Sequence, residues 1–507
     1  MQPLRQAAFL RARYRAILAY AGLIHLLLGL FIISPLLALW AWPEEVGQAP
    51  AFLAPGLGLM AGGGLIWLVL RPREPVPISL AEGAVIVLLA WAGAMVAGAL
   101  PLMPTAGLSF SQAAFEAVSG WTTTGLSVVD VTQASHLVLL HRSTMQLVGG
   151  AGLAIMMLAA FGGPVGAGLS SAEGRDRQLV PHVKRSVRLV WSIYLGYIAA
   201  GVVAFRLCGM SWFDAINHSI CAVSTGGFST RADSFGYWDS GRVEAVSMVL
   251  MILGNLNFLT SYALLKGRWR AVIHNGEVRL MALLLPLAAA GMFLAATAAM
   301  FPRWDKALRV AVFETVSALT TTGFNSIPYD HWNPTAILIL TWLMLIGGGI
   351  CSTAGGIKQL RVYVLYRAAL WEVRRLILPA SVVTRPELWQ GEQREVIDDG
   401  LLRQVGVFVF LYLAIYLSGV LWLTLYGYSL SDSLFEFASA LGTVGLSVGV
   451  TSTATPAPAL WSMTLAMLVG RLEIIMVMVG LLKLAKDLGF VVRNPGLGGL
   501  RRGAPRA

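Results

Sequence analysis

Apolar runs follow one another along almost the whole chain, and charged positions gather in the gaps between them. Many of these runs reach the roughly 20 residues that an α-helix needs to cross a bilayer. The first, 17–42, follows Arg5, Arg11, Arg13 and Arg15, as the core of a secretory signal would. It is too long for a signal core and no small-residue cleavage site follows it. It therefore reads as a retained transmembrane helix with a cytoplasmic N-terminus. A second helix, about 50–70, ends on Arg71-Pro72-Arg73, again a cytoplasmic signature. Its glycines (Gly56, Gly58, Gly62, Gly63, Gly64) follow no strand and precede no acidic partner. They predict close helix packing rather than a phosphate loop.

Beyond this pair the pattern falls into four units of one shape: an apolar helix, a shorter mixed stretch, a second apolar helix and a basic loop. The first has helices at about 79–103 and 136–162 around the stretch 107–127, then Arg175, Arg177, Lys184, Arg185 and Arg188. The second, about 189–266, closes on Lys266, Arg268 and Arg270, and the third, about 279–370, on Arg361, Arg367, Arg374 and Arg375. The fourth starts near 401 and ends in a tail with Lys483, Lys486, Arg493, Arg501 and Arg502. The chain thus divides into an N-terminal helix pair (1–74), repeats at 75–178, 179–275 and 276–378, and a linker, fourth repeat and tail at 379–507. The fold class is an all-α membrane protein of about ten crossings, with both termini and every basic cluster on the cytoplasmic side. Segment 376–400, with Arg385, Glu387, Glu392 and Asp398, is either a solvated cytoplasmic loop or a docking surface.

Composition agrees. Of 507 residues 57% are hydrophobic and 12% charged, against about a quarter charged in soluble proteins. The net charge of +11 sits mostly in inter-helix loops, which removes the nucleic-acid reading. Cys208, Cys221 and Cys351 have neither paired nor metal-like spacing, so no disulfide framework or zinc site is expected.

The four mixed stretches align without gaps. Phe115-Glu116-Ala117-Val118-Ser119-Gly120-Trp121-Thr122-Thr123-Thr124-Gly125-Leu126-Ser127 starts like a helix and ends in residues suited to extended backbone. Phe313-Glu314 to Thr320-Thr321-Thr322-Gly323-Phe324 and Phe435-Glu436 to Gly442-Thr443-Val444-Gly445-Leu446 keep its spacing. The second copy, His218 to Ser224-Thr225-Gly226-Gly227-Phe228-Ser229, is looser, with His218 in the glutamate slot. Irregular backbone at membrane depth survives only where it lines a cavity or binds something. Glycine at the shared position allows backbone angles closed to other residues, so that successive carbonyls can face one axis and replace the hydration shell of potassium. The expected filter is Thr123, Thr124 and Gly125; Thr225, Gly226 and Gly227; Thr321, Thr322 and Gly323; Thr443, Val444 and Gly445. Each preceding helix would aim its partly negative C-terminus at the pore. Glu116, Glu314 and Glu436 lie too far ahead of the glycine to reach the axis easily. They are read as anchors of the filter scaffold, and His218 with them. Asp130, just past the first filter, either concentrates cations at the mouth or is simply solvated.

With these motifs the chain resembles the Trk/Ktr/HKT superfamily of potassium transporters, and within it the bacterial Trk-type uptake subunit, over nearly its whole length. The run at 224–230 and Thr320-Thr321-Thr322-Gly323-Phe324 are the specific marks, and the extra N-terminal pair resembles the Trk type. The resemblance implies potassium as the transported ion, no organic cofactor, the bacterial inner membrane, a homodimer and a cytoplasmic nucleotide-binding regulatory subunit. The chain carries no nucleotide fingerprint of its own.

Each second helix carries a glycine at a similar distance after the filter: Gly149, Gly254, Gly347 and Gly470. In the third repeat this expands into Gly347-Gly348-Gly349-Ile350-Cys351-Ser352-Thr353-Ala354-Gly355-Gly356-Ile357-Lys358, which predicts a helix broken in mid-membrane. The resemblance makes this run a gate below the filter, and makes Arg471 an electrostatic barrier in the pore. An arginine so deep in an apolar helix costs at least about 2.5–3.5 kcal/mol and is usually functional or paired. A local pair with Glu473 is the other reading. Gly442-Thr443-Val444, replacing three threonines, leaves a sodium-coupled or sodium-permeable relative as the alternative function. A membrane enzyme on lipid-linked substrates would need clustered acids or histidines at a membrane face, and the seven histidines are scattered.

Overall fold

The four motif stretches turn out to be the places where short helices end and the chain doubles back. The computed structural model describes residues 2–73, 76, 78–152, 183–329, 332–379, 385–390 and 393–494. In it the pore helices are Phe110–Trp121, Trp212–Val223, Trp304–Leu319 and Leu430–Leu441. Twelve residues make a helix of about 18 Å, roughly half the hydrocarbon thickness of a bilayer. Ser109, Ser211 and Ser429 start three of them by accepting the backbone N–H of Gln112, Asp214 and Asp432. The motif phenylalanines Phe115, Phe313 and Phe435 are fully buried, and so are the bulky residues after each filter glycine: Leu126, Phe228, Phe324 and Leu446. These apolar positions pin the helix and the returning strand into one core, which is why they recur.

Each pore helix follows a long apolar helix: Leu80–Ala106, Val183–Leu207, Gly276–Met292 and Asp399–Leu425. The N-terminal pair, Gln2–Ile33 and Ala49–Leu70, packs against the first of these, Leu80–Ala106. A Cβ on Gly63 would collide with the Gly22 carbonyl and one on Gly56 would meet the Gly29 carbonyl at 3.0 Å, so these two glycines set the close crossing. Gly58 and Gly62 face open space and take no part in it.

Among the described residues six helices are long and apolar enough to cross a membrane, and two bent pairs bring the number to eight. The other two crossings of the ten-crossing reading fall on His136–Ala151 and on Pro334–Ile346 with Gln359–Ile377. The expected end of the first of these, 153–162, lies outside the described residues, as do Arg175, Arg177, Glu392, Arg501 and Arg502. Among the described residues the second helices of the second and fourth repeats are broken as well as that of the third. Gly241–Asn255 and Phe258–Leu265 meet at 117°, and Ala457–Leu472 and Ile474–Arg493 at 103°. Gly152, with φ +86°, ends His136–Ala151. In the linker, where a solvated loop or docking surface was expected, the strands Glu387–Gln390 and Gln393–Val396 pair antiparallel.

Candidate functional site

All four pore helices end alike. The N–H of Thr124, Gly226, Thr322 and Val444 bonds the carbonyl five residues back, on Ser119, Cys221, Ser317 and Ser439, at 2.8 to 3.0 Å. The preceding N–H, on Thr123, Thr225, Thr321 and Thr443, bonds three residues back at 3.1 to 3.2 Å. This is the Schellman ending, which needs a left-handed residue and normally takes glycine. Here that residue is threonine in every copy, with φ of +54°, +51°, +53° and +49°. A β-branched residue in that region is strained by on the order of 1–3 kcal/mol, and such strain clusters at functional sites. Its gain is a hydroxyl on each of these four turns. Two residues on, Gly125, Gly227, Gly323 and Gly445 are left-handed as well.

These glycines close a ring. A Cβ on Gly125 would strike the carbonyl oxygen of Gly226, on Gly227 that of Thr322, on Gly323 that of Val444, and on Gly445 that of Thr124. Each such Cβ would also stand 2.8 to 3.2 Å from the next glycine's Cα. The twelve expected filter residues are therefore brought together around one axis, and side chains are barred from the ring by main-chain oxygen. The fourth quarter's Gly442 and Val444 leave this backbone unchanged. Gly442 is glycine because a Cβ there would lie 2.7 Å from the Met344 carbonyl of the third repeat. Gly226 is glycine because the buried Gln146 side chain, which donates to the Gly226 carbonyl, occupies the space.

The motif acids hold the returning strands. Glu116 accepts from Ser127 Oγ at 3.0 Å, Val128 N at 2.8 Å and Arg142 Nε at 2.8 Å. Glu314 accepts from Ser326 N at 2.7 Å, Ser326 Oγ at 2.8 Å and the Tyr329 hydroxyl. Glu436 accepts from Ser447 Oγ at 2.8 Å, Val448 N at 3.1 Å, and Thr451 N at 3.0 Å. His218 reaches Ser229 Oγ at 3.0 Å from the same slot. Above the ring opens a cavity of about 410 Å³, bordered by Gly125, Gly323, Gly445, Tyr329 and Asp233. Asp130 is not among its walls; it is exposed and accepts from Thr132 N at 2.9 Å. Among the described residues the acid bordering this cavity is Asp233, which no motif marked.

Below the ring, residues 347–358 form a loop between Pro334–Ile346 and Gln359–Ile377. Gly347, Gly356, Cys351 and Lys358 are left-handed. The loop touches the left-handed threonines directly. Gly355 N donates to Thr321 Oγ1 at 2.7 Å, and Thr353 Oγ1 accepts from Thr225 Oγ1 at 3.1 Å. A Cβ on Gly355 would strike Thr443 Oγ1. Beneath it Gly348 N bonds Gly355 O at 3.1 Å, Ser352 Oγ bonds Gly349 O at 2.6 Å, and Lys358 Nζ bonds the Ala354 carbonyl. Asn255 Oδ1 accepts from Gly349 N at 3.1 Å and Glu277 Oε1 from Ile350 N at 2.6 Å. Arg471 donates to the carbonyls of Thr353 at 2.5 Å and Gly149 at 2.6 Å, while Glu473 is held by Arg361 at 2.5 Å. The glycines of the other second helices pack on pore-helix ends: Gly149 on the Trp121 carbonyl, Gly254 on that of Val223 and Gly470 on that of Leu441.

Among the described residues no group of three or more His, Cys, Asp or Glu side chains is placed to hold a metal ion. The converging donors are main-chain carbonyls and threonine hydroxyls in a closed ring with a plug beneath it. The sequence model of the cation transport protein family TrkH matches residues 50–487. The chain belongs to this family. It is 30% identical over 470 residues to an uncharacterized cation transporter of Methanocaldococcus jannaschii, covering 90% of this chain and 94% of that one. It is 29% identical to the Trk system potassium uptake protein TrkH of Halomonas elongata, over 92% of this chain and 98% of that one. The crystal structure of the potassium transporter TrkH from Vibrio parahaemolyticus superposes with a TM-score of 0.80 at 27% identity, covering 92% of this chain and 98% of that chain. Family membership and the long apolar helices make the chain a membrane protein of four repeats plus an N-terminal pair. Arg142, Gln146, Asn255 and Glu277, which hold filter and loop, escaped the sequence reading. Each is a polar residue in a mostly apolar helix, and that was the available signal.

Proposed function

We propose that the chain takes up potassium across the bacterial inner membrane through this ring, and that 347–358 with Arg471 is the gate. The observation that carries the reading is the closed cycle of carbonyls and left-handed glycines around one axis. Rings of such carbonyls replace the hydration shell of potassium at little cost. Thr123, Thr225, Thr321 and Thr443 add an inner ring of hydroxyls, and the gate loop shuts the pathway by bonding to that ring. Glu116, His218, Glu314 and Glu436 fix the ring from behind. The guanidinium of Arg471 lies under the ring beside the loop and opposes a cation there.

The sodium-permeable alternative rested on Gly442-Thr443-Val444, and the fourth quarter's hydrogen bonds match those of the others. The family reading also includes a homodimer and a cytoplasmic nucleotide-binding regulatory subunit. Light scattering of the purified chain and co-purification from its own cells test those two. The uptake reading is tested by expressing the chain in cells that lack potassium uptake. Growth at low external potassium is expected; failure to grow despite membrane insertion would sink it.

A further inference from the structure

Arg142 sits mid-helix in His136–Ala151, 2% exposed, directly behind the filter. Its three nitrogens each find a different acceptor. Nε donates to Glu116 Oε1 at 2.8 Å, Nη2 to Ser127 Oγ at 2.9 Å and Nη1 to the Ser229 carbonyl at 3.1 Å. The guanidinium also lies 4.0 Å from the centre of the Phe228 ring. Glu116 and Ser127 belong to the first filter quarter; Phe228 and Ser229 belong to the second. Ser127 and Ser229 occupy equivalent positions, each two residues beyond its ring glycine. One side chain therefore spans the seam between two quarters and holds matching points on both.

The seam between the second and third quarters is closed differently, by Phe235 N donating to the Asn325 carbonyl at 3.0 Å. Glu314 and Glu436 are satisfied by hydroxyls and amides, whereas Glu116 also has a cation. The pair is fully desolvated, with side-chain exposures of 3% and 0%, so the arginine's charge is balanced locally rather than presented to the pore. Only a rigid planar fork can satisfy the three acceptors together; an ammonium group can hold Glu116 but cannot span to the second quarter.

We propose that Arg142 is a specificity-determining positioning residue, which clamps the first filter quarter to the second and so fixes the spacing of their ring carbonyls. The proposal rests on the filter reading and extends it to a residue outside the filter. It predicts that selectivity, and not merely folding, depends on the fork. The experiment compares rubidium and sodium fluxes in proteoliposomes of the full chain for Arg142→Lys, for the charge-neutral pair Glu116→Gln with Arg142→Met, and for Gly323→Ser as control. Arg142→Lys should lower the rubidium-over-sodium ratio about threefold and the double variant about tenfold, the scale of one charged hydrogen bond, with melting temperature nearly unchanged for the lysine variant. Wild-type ratios in both, alongside a lowered ratio in Gly323→Ser, would overturn the clamp alone. A wild-type ratio in Gly323→Ser as well would overturn the filter reading and the clamp with it.

Discussion

Arg471 Nη1 donates to the Thr353 carbonyl at 2.5 Å, and Nη2 of the same side chain donates to Gly149 at 2.6 Å. One guanidinium thereby joins the fourth repeat to the loop from the third and to the first. Thr353 is tied in turn to the second through Gly254, 2.9 Å from its hydroxyl. All four repeats thus meet at the loop 347–358, directly beneath the ring, and none can move there without breaking one of these hydrogen bonds.

Removing that arginine should open the path. Arg471→Ala gives up charged hydrogen bonds worth about 1.5–3 kcal/mol each, so resting cation flux should rise about tenfold or more. Deleting 347–349 should act in the same direction. Stopped-flow flux assays on liposomes check both; a lower or unchanged flux at normal protein yield would remove the gate assignment.

Ring geometry should be intolerant of a side chain. Gly323 has φ +83°, and its Cβ would stand 2.8 Å from the Gly445 Cα. Gly323→Ser should therefore widen or twist the ring. The rubidium-over-sodium flux ratio should drop by roughly an order of magnitude, given a strain of about 1–3 kcal/mol.

Glu436 is buried and accepts from two hydroxyls and two backbone amides. Truncation to Ala orphans those donors, at about 1–3 kcal/mol for each that stays dry. Thermal unfolding in detergent should show Glu436→Ala destabilised by about 3 kcal/mol. A variant as stable as the parent would mean that the acid does not brace the filter.

Asp233 borders the outer cavity. An exposed carboxylate at a pore mouth raises local cation concentration, and salt screens the effect over about 10 Å at 0.1 M. Asp233→Asn should slow rubidium entry about twofold at low ionic strength and leave it unaltered at high salt. A deficit of equal size at both ionic strengths points to a structural change instead.

The repeats were legible because four copies of one helix-to-strand switch must bend at the same glycine, and three of them bury the same phenylalanine. The helix breaks in the second and fourth repeats were not. They occur at Leu256–Asn257 and at Glu473 with φ +64°, where no glycine cluster announces them. Those bends are imposed by packing under the filter, and local propensity carries little trace of it. Arg142 and Gln146 were missed for a related reason: each has a partner in the neighbouring quarter, 87 and 80 residues away. The short hairpin around Trp389 went unseen because its strands are only four residues each.

Cation flux in a reconstituted system is the sharpest test of a gated potassium pathway through the ring. The purified chain and its Arg471→Ala variant would be placed in liposomes, and uptake of radioactive rubidium measured with sodium as competitor. Rubidium uptake by the parent is expected, about tenfold more by the variant, with little inhibition by sodium in either. No cation uptake by either protein, or sodium entering as readily as rubidium, would contradict it.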